Sequence, residues 1–198
     1  GVAQLARTGK DGAKHAALLT PLLTDADAEI RAQAAKMIGD LRYASAAPAL
    51  IPLLADSAPR VRFFAAEALG RVAYKQAAAP IVAMLAANYD KDVLLRHAGG
   101  LALSRLGDTA ALGALAQHPS RGVRIAAINA LRRLRSAEAA RFLTDSDDAI
   151  VLEAARAIND DGSIEAALPA LARVLGTKAT ASEPLLRRAI SANLKLGS

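Results

Sequence analysis

Residues Asp56–Arg71 read DSAPRVRFFAAEALGR. An acid is followed six positions later by an arginine behind an aliphatic residue, then by paired small residues, a leucine and a glycine: Asp56, Val61, Arg62, Ala65, Ala66, Leu69, Gly70. The same order stands upstream as Asp25, Ile30, Arg31, Ala34, Ala35, Ile38, Gly39, and downstream as Asp90, Leu95, Arg96, Gly99, Gly100, Leu103. A fourth copy has Val123, Arg124, Ala127 and Leu131, with His118 in the place of the acid. A fifth has Asp145, Ile150, Ala154, Ala155 and Ile158, with Val151 in the place of arginine, and a sixth centres on Leu186, Arg187 and Ile190. The steps from one copy to the next are 31, 34, 28, 27 and 36 residues, within the range of helical-repeat arrays.

Within a copy the apolar residues follow the helical period, as in Ile30, Ala34, Ile38 and Leu41, so each marks the second helix of a pair with one face buried. The first helices are expected over Ala46–Ala55, Gln76–Asn88, Thr109–Gln117, Ala137–Leu143 and Ile164–Leu175. Pro21, Pro48, Pro52, Pro80 and Pro169 fall in first helices, and a proline costs a helix interior about 3 kcal/mol, so these segments should start there, kink or stay short. A pair this small cannot bury its apolar face alone; stacking neighbours does so. The expected fold is all-α, a right-handed α-α superhelix of about six helical hairpins, with units near 1–43, 44–74, 75–107, 108–135, 136–161 and 162–198 forming one solenoid over 1–198.

Composition agrees. Aromatic residues make up 3% and Trp is absent, which disfavours a β-sandwich or barrel, and a 22% charged fraction is that of a globular chain. The most apolar stretch, Ala77–Ala87, is interrupted by Pro80 and is too short to cross a bilayer. With no cysteine there is no disulfide, thiolate metal site or cysteine nucleophile.

The Asp-to-Arg spacing of six in Asp25/Arg31, Asp56/Arg62 and Asp90/Arg96 resembles the short HEAT repeat of phycobilisome lyases. The resemblance implies a hydrogen-bonded ladder between successive repeats, carried here by Asp25, Arg31, Asp56, Arg62, Asp90, Arg96, Arg124, Asp145 and Arg187, and interrupted in the fourth and fifth units at His118 and Val151. The strings LRHAGGLALSRLG (95–107), IVLEAARAINDD (150–161), IEAALPALARVL (164–175) and PLLRRAISANLKLG (184–197) are similar to the HEAT segment of large secreted bacterial proteins that join a propeller to a c-type haem domain. That second resemblance implies a spacer in an extracytoplasmic redox protein, periplasmic or secreted; without it a cytoplasmic chain is expected.

No catalytic constellation is visible. His15, His97 and His118 lie in different units without metal-ligand spacing, and no GxSxG, phosphate-binding loop or dinucleotide fingerprint occurs. Gly99-Gly100 sits at the small pair of a repeat, where close helix packing explains it. Asp145, Asp147 and Asp148 stand where a helix begins and read as capping residues, and Asn159-Asp160-Asp161-Gly162 reads as a helix stop. The expectation is a non-enzyme without cofactor or metal, whose partner is a protein or an adjoining domain.

Charge gives the surface lead. The net charge is +6; between Asp108 and Glu138 there is no acid, but Arg121, Arg124, Arg132, Arg133 and Arg135. From Glu138 to Glu183 nine acids face four bases. Arg71, Arg105 and Arg133 share one repeat position, nine residues past the ladder arginine, and Phe63 and Phe64 are the bulkiest residues in their second helix. Phe64, Arg71, Arg105 and Arg133 are therefore the candidate partner contacts. The basic tract keeps open a nucleic-acid-binding module like the HEAT-like alkylpurine DNA glycosylases, and the repeat resemblance a bilin-binding lyase. Tyr43 and Tyr74, 31 residues apart in the turns, are expected in packing between repeats.

Overall fold

The computed structural model describes residues 12–160, 162–177 and 182–197. Its α-helices are α1 Gly12–Ala17, α2 Ala28–Asp40, α3 Ala47–Leu50, α4 Pro59–Arg71, α5 Ala78–Ala87, α6 Val93–Leu106, α7 Thr109–Ala114, α8 Arg121–Arg133, α9 Asp148–Asn159, α10 Leu168–Ala172, α11 Val174–Thr177 and α12 Glu183–Leu196. The long ones, α2, α4, α6, α8, α9 and α12, are the second helices of the six repeats. Together the helices make an all-α, HEAT-like repeat solenoid, divided into two compact units, one up to Leu106 and one from Gly107.

The first helices differ most from the sequence reading. Ala44–Ala55 is a 3-10 turn, the four-residue α3 and a second 3-10 turn beginning at Pro52; Ala137–Thr144 is 3-10 throughout; the Ile164–Leu175 segment divides into a 3-10 turn, α10 and the start of α11. Proline is the cause in two of these segments. Pro48 and Pro169 occupy the first turns of α3 and α10, where their missing N–H costs nothing, and Pro52 follows too closely for α3 to continue. These short elements still supply core: Leu50, Ile81, Phe142 and Leu171 are at most 0% exposed. Each such side chain contributes about 2–3 kcal/mol of apolar burial.

In the first unit α4 packs between α2 and α6. The approach is close enough that a Cβ built on Gly39 would lie 2.8 Å from Ala68 Cα, and one on Gly70 2.7 Å from Ala102 Cα. The glycine near the end of one second helix therefore seats against the alanine of the next. In the second unit α9 packs against α8, α12 and the Ala137–Thr144 segment, around Phe142.

Three second helices end alike. Tyr43 N–H donates to Ile38 O (3.0 Å), Tyr74 to Leu69 O (3.1 Å) and Ser136 to Leu131 O (3.0 Å), each across a residue in the left-handed region: Arg42 (φ 52°), Ala73 (φ 55°) and Arg135 (φ 52°). This is the Schellman closure, in which glycine is the usual left-handed residue; Gly107, directly after α6, is also left-handed (φ 75°).

The buried stripe of α2 is shorter than its periodicity suggests. Ala34 and Ile38 are buried, but Ile30, in the first turn, is 40% exposed and Leu41, at the C-cap, is half-buried.

Candidate interaction face

The turns that precede second helices share one construction. The carboxylates of Asp25, Asp56 and Asp145 each accept the backbone N–H two residues on, from Asp27, Ala58 and Asp147, all at 2.8 Å. The repeat arginine then closes the turn from the helix. Arg31 Nη1 donates to Asp25 O (2.8 Å) and Ala26 O (3.0 Å), Arg62 Nη1 to Asp56 O (2.6 Å), and Arg124 Nη1 to His118 O (2.8 Å). The other edge of the guanidinium reaches the next repeat: Arg31 Nε and Nη2 donate to Asp56 Oδ2 and Oδ1 at 2.8 and 2.9 Å, and Arg124 Nε lies 2.8 Å from Asp145 Oδ2. The bidentate bond from Arg31 holds the Asp56 carboxyl below its ordinary range despite its partial burial.

Two departures from the repeat pattern have local explanations. His118 replaces the acid, yet its Nδ1 accepts Ser120 N–H at 3.1 Å, and the bond from Arg124 needs only its carbonyl. The turn of the fourth repeat is thereby kept, and Arg124 still meets Asp145, so the expected interruption does not fall on that link. Arg96 pairs with Asp90 of its own repeat. The expectation for Arg187 needs correcting: it donates to Glu183 Oε1 (3.0 Å) on its own helix and is 77% exposed. Burial of Leu185, Ala189 and Ala192 fixes the register of α12, and it places Leu186 at the ladder position. Neighbouring Arg188 bonds instead to Asp160, Nη2 to Oδ2 at 2.7 Å. Burial works against ionisation of Asp160, but the bonds from Arg188 and Asn159 outweigh it and its pKa is lowered.

The face of the second helices turned away from the first helices carries the candidate contacts. In the first unit an ion-pair chain runs across it. Lys36 Nζ donates to Asp40 Oδ2 (2.7 Å), Asp40 accepts from Arg71, Arg71 Nη2 lies 3.7 Å from Glu67 Oε2, and Glu67 Oε1 lies 3.9 Å from Arg105 Nη1. Arg71 and Arg105 therefore belong to a row of alternating sign rather than to a cationic stripe. One turn nearer the helix starts, Phe64 is half-buried, meets Phe63 edge to face at 5.2 Å, and lies under Arg60, whose Cζ is 5.1 Å from the ring centroid. Arg60 Nε also stands 3.0 Å from Glu29 Oε2 on α2.

Arg133, in the second unit, is exposed. Of its basic neighbours, Arg121 Nε donates to Asp147 Oδ2 (2.8 Å) and Arg135 Nη2 to Ser163 O (3.2 Å). The carboxyl of Asp147, which burial disfavours, is nonetheless held ionised by the Ala149 N–H and by Arg121, and its N-cap role is the one its position indicates. The sequence reading missed Asp40, Glu67 and Arg60. Their signal was present in the repeat: Asp40 stands at the same position as Arg71 and Arg105, and Glu29 at that of Arg60.

Among the described residues no group of acids and histidines is arranged to hold a metal ion, and no helix is long and apolar enough to cross a membrane.

A face built on stacked second helices defines a helical-repeat scaffold. Among the comparisons, the family model for HEAT repeats matches residues 16–104. The solved archaeal HEAT-like repeats protein from Thermococcus onnurineus superposes with a TM-score of 0.59 at 14% identity, over 99% of this chain and 91% of that one. The complex of CpcE and CpcF of phycocyanin lyase from Nostoc sp. gives 0.52 at 22% identity, over 98% and 86%. At these identities the likeness is one of fold. No curated protein matches the sequence significantly.

Proposed function

We propose that the chain is a non-catalytic scaffold that binds a protein partner or an adjoining domain through the exposed face of its second helices, with Phe64, Arg71 and Arg105 as contacts in the first unit and Arg133 in the second. The observation that carries this reading is the Phe63–Phe64 pair, two adjacent half-buried rings in edge-to-face contact on a second helix and set beside an ordered row of charges. Aromatic and arginine side chains held in fixed rotamers lose little freedom on binding, which is why they dominate interface energies. The alternating signs of Asp40, Arg71, Glu67 and Arg105 suit a partner with a mixed charge pattern. A polyanion fits less well, because Arg121 and Arg71 already have carboxylate partners.

The test is site-specific photocrosslinking in the source cells, with the photoreactive residue at Phe64 and, as control, at Ala79 on the outer side of α5. A discrete adduct from position 64 alone, weakened at least tenfold by Arg105→Glu, is expected. Equal adducts from both positions, or none, would remove the proposal, and an adduct to nucleic acid would replace it.

A further inference from the structure

The third repeat carries an insertion in the interior of the array. Tyr43 and Asp56 are 13 positions apart, whereas their equivalents Tyr74 and Asp90 are 16 apart. The extra residues accompany a longer first helix, ten residues in α5 against four in α3, and a turn, Asn88–Asp92, that leads into α6. One side chain clamps this turn: Asn88 Nδ2 donates to Asp92 O (2.9 Å), and Asn88 Oδ1 accepts the Asp92 N–H (3.2 Å). Lys91 N–H donates to Asn88 O (3.0 Å). Within the clamp Tyr89 (φ 47°) and Asp90 (φ 60°) are successive left-handed residues, a rare conformation for a bulky side chain, and Tyr89 is 78% exposed. Insertions in repeat arrays gather in loops on one face, commonly the binding face.

The first turn of α6 extends the same surface. Val93 and Leu94, three and two positions before the ladder arginine, are 59% and 69% exposed. In the first, second, fourth and fifth repeats these positions hold Ala28 and Glu29, Pro59 and Arg60, Arg121 and Gly122, and Asp148 and Ala149, with a charge in every pair. Glu29, Arg60, Arg121 and Asp148 are exposed as well. Exposure therefore belongs to the repeat position, and what sets the third repeat apart is that large apolar side chains fill it. Tyr89, Val93 and Leu94, within six residues on a clamped turn and a helix start, make one preorganised apolar patch.

Charge selects what fits it. The acids of the turn are engaged: Asp90 pairs with Arg96, and Asp92 Oδ1 accepts the N–H groups of Leu94 (2.9 Å) and Leu95 (3.1 Å). Lys91 is exposed and has no carboxylate partner among the described residues. An apolar patch beside an uncompensated cation complements an apolar segment that carries an acid. A bilayer fits less well, because anionic membranes are held by clusters of basic residues and this patch offers one.

We propose that the Asn88–Asp92 turn and the first turn of α6 recognise an acidic peptide segment of a partner protein. Two large apolar side chains of the segment pack on Tyr89, Val93 and Leu94, and its carboxylate pairs with Lys91. The proposal rests on the reading of the chain as a protein-binding scaffold, but not on Phe64, which stands on another helix.

The test is selection of a phage-displayed library of random peptides on the full chain, followed by fluorescence anisotropy with the enriched peptides. They should share a pair of large apolar residues beside Asp or Glu. Leu94→Lys should weaken their binding at least about tenfold, and Lys91→Glu about threefold with loss of salt sensitivity, both with an unchanged far-ultraviolet circular dichroism spectrum. Phe64→Ala should leave the affinity within about twofold. Peptides that respond to Phe64→Ala and not to Leu94→Lys would overturn the patch and leave the scaffold reading standing. No enrichment, or a basic consensus, would also overturn it. Sedimentation velocity and flotation with phosphatidylserine–phosphatidylcholine vesicles test the other occupants: self-association or vesicle binding abolished by Leu94→Lys would give the patch to a second copy or to a membrane instead.

Discussion

At the residue scale, two positions carry energetic consequences that follow from their geometry. Ala73 closes the end of α4 with φ 55°, where a Cβ crowds the backbone at a cost of about 1–2 kcal/mol for an L-residue. Its side chain is exposed, so nothing offsets that cost. Ala73→Gly should therefore raise the unfolding free energy by about 0.5–1 kcal/mol after the glycine's extra unfolded-state entropy is subtracted, measured by urea denaturation. Asp56 behaves differently because its stabilisation is ionic. Its folded pKa lies below the unfolded value of about 3.9, so the contribution is complete above that pH and fades as pH falls through the folded pKa. Asp56→Asn should keep the turn bond to Ala58 but lose the charge. The stability gap between wild type and variant should be constant from neutral pH to about 5 and should narrow at lower pH. A gap that is independent of pH down to acid unfolding would contradict a stabilising Arg31–Asp56 pair.

At the element scale, the second helices were legible and the first were only partly so, for physical reasons. The second helices carry long apolar stripes, small residues at fixed positions and an acid in the preceding turn, signals that agree with one another. The first elements hold short alanine-rich runs cut by proline, whose helical propensity says helix while the ring at Pro52 restricts how far one can run. Register failed where the sequence is locally duplicated: Leu185-Leu186 and Arg187-Arg188 allow two alignments of α12, and only burial distinguishes them. On the candidate face the arginines were visible but their carboxylate partners were not, since Asp40–Arg71 joins residues 31 positions apart on different helices. The glycines yield the prediction proper to this scale. Replacing glycine by alanine in a helix normally gains about 1 kcal/mol. At Gly39 and Gly70 the new methyl would press on a neighbouring backbone atom rather than on a side chain that can turn aside. Gly39→Ala and Gly70→Ala should thus lower stability by about 1–3 kcal/mol, which calorimetry would register as a depressed midpoint. Gly99→Ala should cost less, because its Cβ would meet the Leu85 side chain, which has other rotamers.

At the scale of the whole molecule, a repeat protein is held by contacts between neighbours in sequence, so stability is a sum of local and nearest-neighbour contributions. Its two compact units each enclose their own core, with Leu69 and Ile81 in one and Phe142 and Ile150 in the other, all at 0% exposure. A defect placed at a junction within one unit should then spread along that unit first. Gly70→Ala is the useful probe, because Gly70 lies where α4 meets α6 and both helices would have to part to admit the methyl. Native-state hydrogen exchange should show amides of α2, α4 and α6 losing protection by about the full cost of the substitution, roughly tenfold or more in rate, while those of α8 and α9 change far less. Uniform loss of protection across all five helices would mean that the chain opens as a single cooperative block. The scaffold reading would then have to accommodate a body that cannot loosen one end while holding a partner at the other.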